Sequence, residues 1–145
     1  VGNEQPDSIK KWRYFNNIYG QFKVSEKTNL VAGFDIGAQQ TLKGSSAYET
    51  WYSPVIIAQY KPTAKIQLAA RGEYYQDKNG VIIATGTENG FKTFGYSVNF
   101  DYLVSDNAIF RIEARSLNSK DAIFLRNNNP TDSNFFITTS LAISF

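Results

Sequence analysis

The sequence contains no cysteine, no histidine and no methionine, and each absence removes a class of chemistry. Without cysteine there is no disulfide frame and no thiolate metal site. Without histidine there is no Ser-His-Asp triad, no HExxH zinc helix and no imidazole switch near neutral pH. Long apolar runs are lacking too. The longest are short, such as Val55-Ile56-Ile57-Ala58 and Val81-Ile82-Ile83-Ala84, far below the roughly 18–20 residues that a membrane-crossing helix needs. The net charge is only +2, with Lys and Arg scattered, so no nucleic-acid footprint is expected. No cofactor, metal or catalytic residue is expected either.

These absences do not exclude a membrane barrel. Only every second residue of a barrel strand meets lipid, so its average composition looks like that of a soluble protein, as does the 42% hydrophobic content here. What the chain does have is aromatic side chains, 15% of the total, and alternation. Seven segments of about ten residues follow a period of two, the strand signature. They run over 13–24, 30–41, 52–61, 66–76, 93–104, 108–116 and 135–145.

The connections alternate as well. Ser25-Glu26-Lys27-Thr28-Asn29, Pro62-Thr63-Ala64-Lys65 and Ser105-Asp106-Asn107 are short and rich in turn formers. Between them fall longer ones, Leu42 to Trp51, Asp77 to about Lys92, and Leu117 to Asn134. Short turns on one side and long loops on the other are the asymmetry of outer-membrane barrels.

Splitting each segment by parity separates the charges. One face carries Tyr14, Ile18, Phe22, then Leu30, Phe34, Ile36, then Tyr52, Pro54, Ile56, Tyr60. It continues through Leu68, Ala70, Gly72, Tyr74, then Phe94, Val98, Tyr102, then Phe110, Ile112, and finally Phe135, Ile137, Leu141, Phe145; no position on it is charged. The other face holds Lys23, Asp35, Gln39, Gln59, Lys61, Arg71, Glu73, Asn99, Asp101, Arg111, Glu113 and Arg115. Lipid would impose that exclusion, since Arg or Lys at the midplane of a barrel's outer face costs about 2–4 kcal/mol.

Aromatic residues gather at the ends of the uncharged face. With the tight turns periplasmic, Phe22, Tyr60, Tyr102, Phe110 and Phe145 form a lower belt. Tyr14, Tyr52, Tyr74, Phe94 and Phe135 form an upper one, with Trp51 read as a further belt residue. Two aromatic girdles about an apolar band are the interface pattern of membrane proteins. The sequence therefore predicts an all-β fold, a transmembrane antiparallel up-and-down β-barrel. Seven consecutive strands leave the first and last running the same way and cannot close. The chain is therefore expected to be the C-terminal part of a larger barrel, with an odd number of further strands upstream.

From about Phe91 the sequence resembles the OmpL-like porin family of Bacteroidota-type outer membranes. The residues that carry the likeness are Phe110-Arg111-Ile112-Glu113-Ala114-Arg115, then Ser119-Lys120-Asp121 with Phe124, and the terminal Phe136 to Phe145. The resemblance implies a bacterial outer-membrane location and a channel-like role. A terminal Phe behind alternating apolar residues, here Phe145, is similar to the signal read by the barrel-assembly machinery. The expected partners are thus outer-membrane lipid and that machinery, with other envelope proteins as further candidates.

Lys23, Asp35, Arg71, Glu73, Asp101, Arg111, Glu113 and Arg115 are the candidate lumen-facing residues. They read either as a charged strip that biases ion passage or as an internal ion-pair network that stiffens the wall. Asp77-Lys78-Asn79-Gly80 begins like a calcium loop, but Val81 and Ile82 occupy positions needed for a ligand and a sharp-turn Gly; it reads as a turn. Val81 to Ala84 reads as a surface patch or as the hairpin continued above the membrane. Pro54, lacking a ladder donor, predicts a bulge or loose pairing. Three functions follow: a passive pore, a plugged barrel that docks partners, and a soluble ligand-binding barrel. The third requires the opposite parity.

Overall fold

Alternating residues with short polar turns pair most simply with their sequence neighbours, and that is the topology found. A computed structural model describes residues 1–3 and 5–145. Its strands are β1 (Arg13–Lys23), β2 (Thr28–Gln40), β3 (Tyr48–Tyr60), β4 (Ile66–Asp77), β5 (Phe91–Ser105), β6 (Ala108–Ser119), β7 (Phe124–Arg126), β8 (Asn129–Thr131) and β9 (Ser133–Ile143). Seven of them form one antiparallel sheet in the order β1-β2-β3-β4-β5-β6-β9, and β7-β8 is a separate small hairpin. The described sheet is open, with β1 and β9 at its edges; β1 makes one isolated bridge outward, from Arg13 to Gly2. Among the described residues the one helical element is a 3-10 turn over Asp7–Ile9.

The two faces differ in the direction opposite to that of a soluble protein. Along β5, Phe94, Tyr96, Val98, Phe100, Tyr102 and Val104 are exposed, Val98 by 60%, whereas Thr93, Ser97 and Asp101 are buried at 3–5%. Across the described residues the buried hydrophobic core consists of Trp51 alone, while Gln40, Asp77, Thr93, Ser97, Asp101 and Ser119 are buried polar residues. A sheet with no second layer stacked on it buries one face by curling toward it. Here it curls toward the polar face. Phe34, Ile56 and Val98, the residues that a soluble barrel would turn inward, all lie on the exposed side.

Register explains several departures from the sequence-based reading. β3 starts at Tyr48 rather than 52, because Tyr48, Glu49 and Thr50 pair with Gln40, Gln39 and Ala38. Tyr48 thereby joins the upper aromatics, 5.9 Å from the Tyr14 ring. The connection after β6 contains the β7–β8 hairpin, turned by Asn127 and Asn128 at φ 51° and 65°; a pair of positive-φ residues is the mark of a type I′ turn. β9 ends at Ile143, so Phe145 lies past the last ladder pair and is fully exposed.

Trp51 is not a belt residue. Odd parity puts it on the polar face, only 4% exposed, with its ring over Gly37 on β2; a Cβ at Gly37 would sit 2.0 Å from the indole. The Arg13 guanidinium lies 5.7 Å from the indole centroid, within cation–π range. Pro54 makes no bulge. The β3–β4 register is the same on both sides of it, but the ladder lapses between Tyr52↔Gln76 and Val55↔Glu73. There the Tyr52 and Tyr74 hydroxyls both donate to Gln76 Oε1, at 3.1 and 3.3 Å. The one register shift in the large sheet falls between Leu103 and Ser105, beside a tight turn.

If lipid is the solvent of the exposed face, charge there is costly and charge opposite is not. Val98→Arg is expected to lower stability by about 2–4 kcal/mol, the midplane value. Gln59→Arg on the polar face should cost below about 1 kcal/mol. Reversible urea unfolding of the vesicle-inserted protein measures both; equal losses would contradict the assignment of faces.

Candidate functional site

The polar face is built from cross-strand rows. One row runs Ile57, Arg71, Ser97, Arg115, Phe136 over β3, β4, β5, β6 and β9. The next runs Val55, Glu73, Gly95, Leu117, Asn134. Small residues on β5 let long side chains from β4 and β6 meet above it. Glu73 lies across Gly95, where a Cβ would come within 2.8 Å of the carboxylate. From there Glu73 pairs with Arg71 on its own strand and with Arg115 two strands away. The sequence gives the three charges but not their meeting, because it does not say that Gly95 lies between them.

Asp101 and Arg111 stand directly opposite on β5 and β6. Their pairing is bidentate, with Nε donating to Oδ1 and Nη2 to Oδ2, each at 2.6 Å. Asn99 Nδ2 donates a third bond to Oδ1 at 3.0 Å. Planar fork-to-carboxylate contacts are among the stronger protein hydrogen bonds, and here the acceptor is almost fully buried. The other predicted residues lie apart from these two groups. Asp35 accepts from Asn17 on β1. Lys23 pairs with Glu26 at 2.7 Å in an exposed turn, where such pairs contribute little. Glu113 sits on the same face between Asn99 and Thr138, in neither network. The structure thus joins five of the eight into two ion-paired groups.

A second set of contacts holds the long connection 78–90, where the sequence reads as a turn at Asp77 to Gly80 followed by a surface patch or a continued hairpin at Val81 to Ala84. Asp77, at the end of β4, is completely buried. Its Oδ1 accepts from Val81 N at 2.9 Å, and its Oδ2 accepts from Ile82 N and Ile83 N at 2.7 and 2.9 Å. A carboxylate accepting three backbone N–H groups fixes the start of the segment. Its neck is closed by Gly90, where φ is +63° and a Cβ would lie 2.2 Å from the Lys78 carbonyl oxygen; only glycine fits. Val81 to Ala84 therefore does not continue the hairpin, since residues 78–90 contain no strand.

The far end of this segment is tied to the next long connection. Asn89 donates to Asp121 through its backbone N–H and through its side-chain amide, at 2.9 and 2.8 Å. Those bonds, the backbone one foremost, hold the Asp121 carboxyl below the usual carboxylate range. A group with a lowered folded-state pKa contributes stability above its unfolded pKa and loses it as pH falls through the folded value. The clasp should accordingly outlast the titration of ordinary carboxylates and open only at more acid pH.

A family model described as "Putative beta-barrel porin-2, OmpL-like" matches residues 1–145. No curated protein and no solved structure matches this chain.

Two expectations follow from the geometry. Glu73→Gln leaves two guanidiniums facing each other without their shared counter-charge. It is expected to cost about 1–3 kcal/mol, below the figure for a fully buried pair because the site is partly hydrated. Glu113→Gln, outside the triad, should cost less in the same urea titration. For the clasp, hydrogen exchange at the Asn89 amide, corrected for intrinsic rate, should stay slow until pH falls below the usual carboxylate range. Loss of protection near pH 4 would contradict it.

Proposed function

From the premise that this chain belongs to the "Putative beta-barrel porin-2, OmpL-like" family, we propose that it is part of the wall of a passive outer-membrane pore for small solutes. An outer-membrane, porin-like role belongs to the family in general. The specific reading rests on the inverted faces of the central strands: an exposed, uncharged surface opposite a less exposed polar one that buries Thr93, Ser97 and Asp101. In water that arrangement is unfavourable. In a bilayer it puts hydrocarbon against Ile, Val, Ala and Leu and leaves an aqueous interior for Arg, Glu and Asp.

Further strands complete the barrel in this proposal, because lipid does not tolerate the unpaired backbone edges of β1 and β9. The aromatics at the two ends of the exposed face settle at the headgroup levels, with Tyr48 added to the upper group. The polar row of Arg71, Ser97 and Arg115 lines the lumen, and Phe145 at the terminus serves recognition during assembly. The lumen charges then act both as mutual braces and as the ion-facing surface.

One observation supports a second reading, a plugged barrel that docks envelope partners. Arg71, Glu73, Asp101, Arg111 and Arg115 are engaged with one another, which would stiffen a closed lumen equally well. Planar-bilayer recording with the purified full-length protein separates the two. Stable ohmic steps, with liposome swelling graded by sugar size, are the expected result. A folded barrel that conducts nothing and purifies with stoichiometric partners would defeat the pore and favour the scaffold.

A further inference from the structure

We infer that the segment 78–90 is a size-limiting constriction, folded over the polar face and latched there by Asp77, with Ile83 as the residue that narrows the passage. The inference deepens the pore reading above and rests on it. Its basis is a cavity of about 290 Å³ whose wall includes Ile83 together with Glu73, Arg115, Leu117 and Phe136. Those four stand on β4, β6 and β9, and all are on the polar face by register. A residue from the long connection shares a cavity with them only if the connection turns inward over the wall.

Three features hold it there. The buried Asp77 carboxylate collects the N–H groups of Val81, Ile82 and Ile83, so the backbone that carries Ile83 is fixed where it leaves β4. Gly90 closes the neck against Lys78 and Asp77. The Asn89–Asp121 clasp ties the far end to the connection after β6. A segment anchored at both ends by charged acceptors differs from a free surface loop, whose backbone would be met by water. Ile83 is half-buried while its neighbour Ile82 is 45% exposed, as expected of a segment with one side against the wall.

An apolar side chain beside Glu73 and Arg115 also has a chemical consequence. Hydrophobic constrictions in channels impede passage by excluding water from the narrowest point. Ile83 contributes such a surface to the cavity that the Arg115 guanidinium and the Glu73 carboxylate also line, so both width and wetting at that level depend on it.

The test uses the full-length protein folded in lipid, and the chain's lack of cysteine makes introduced thiols unambiguous. In the double variant Ile83→Cys/Leu117→Cys, a short bismaleimide should bridge the two thiols within one molecule, read by mass spectrometry. In Ile83→Cys alone, a bulky thiol reagent should cut single-channel conductance to about half or less, and Asp77→Asn should raise it about twofold while admitting larger sugars in swelling assays. Absence of the bridge in a conducting barrel, with conductance indifferent to the reagent, would overturn the constriction and leave the pore reading intact. A parent barrel that never conducts would overturn the pore reading and the size limit together, even where the bridge forms. If Asp77→Asn fails to fold, the thiol experiments decide alone, since neither alters the latch.

Discussion

Everything in this chain follows from which solvent meets the uncharged face. A sheet surface that offers Ile18, Phe34, Ile56, Val98 and Ile137 to its surroundings would in water lose the hydrophobic contribution on which folding normally depends. Hydrocarbon removes that loss and reverses the rule for the other side. Polar groups can then crowd together, provided that each finds a partner, because burial without one is costly. The carboxylates meet that condition, Asp101 on Arg111 and Glu73 between two arginines, whereas among the described residues Thr93 Oγ1 and Arg71 Nε are buried without a partner. Asp77 meets it with three amides.

Much of this could be read from the sequence, for an identifiable reason. Strand parity is a local property, so the seven main strands and the separation of charge needed no knowledge of what lies opposite. The order of the sheet was also accessible, because tight turns such as Ser105-Asp106-Asn107 leave adjacent strands no alternative but to pair. Features that depend on cross-strand neighbours were not accessible. Trp51 looked like an interfacial aromatic until register put it over Gly37. Glu73 and Arg115 are forty-two residues apart, and only Gly95 in the intervening strand lets them touch. The Asn127–Asn128 pair did carry a hairpin signal, but three-residue strands are too short for alternation to register.

The long connections show the same limit from another direction. Their composition says that they are not strands, and nothing local says where they lie. Asp77 decides it for 78–90: a carboxylate at a strand end either faces water or gathers donors, and here it gathers donors. The segment thus inherits its position from the wall instead of the solvent, and the rim and interior of the sheet become one structural unit. In the pore proposed above, such an ion-paired wall and such a connection suit a narrow passage better than a wide one.

The pause in the β3–β4 ladder has a mechanical corollary. Pro54 cannot donate, and the ladder lapses at Ser53 and Pro54, so this seam is bridged there by the Tyr52 hydroxyl reaching Gln76 on β4 instead of by an unbroken run of amides. That line divides the sheet into a panel of β1 to β3 and a panel of β4 to β9, joined by fewer ladder pairs than the strands they contain could make.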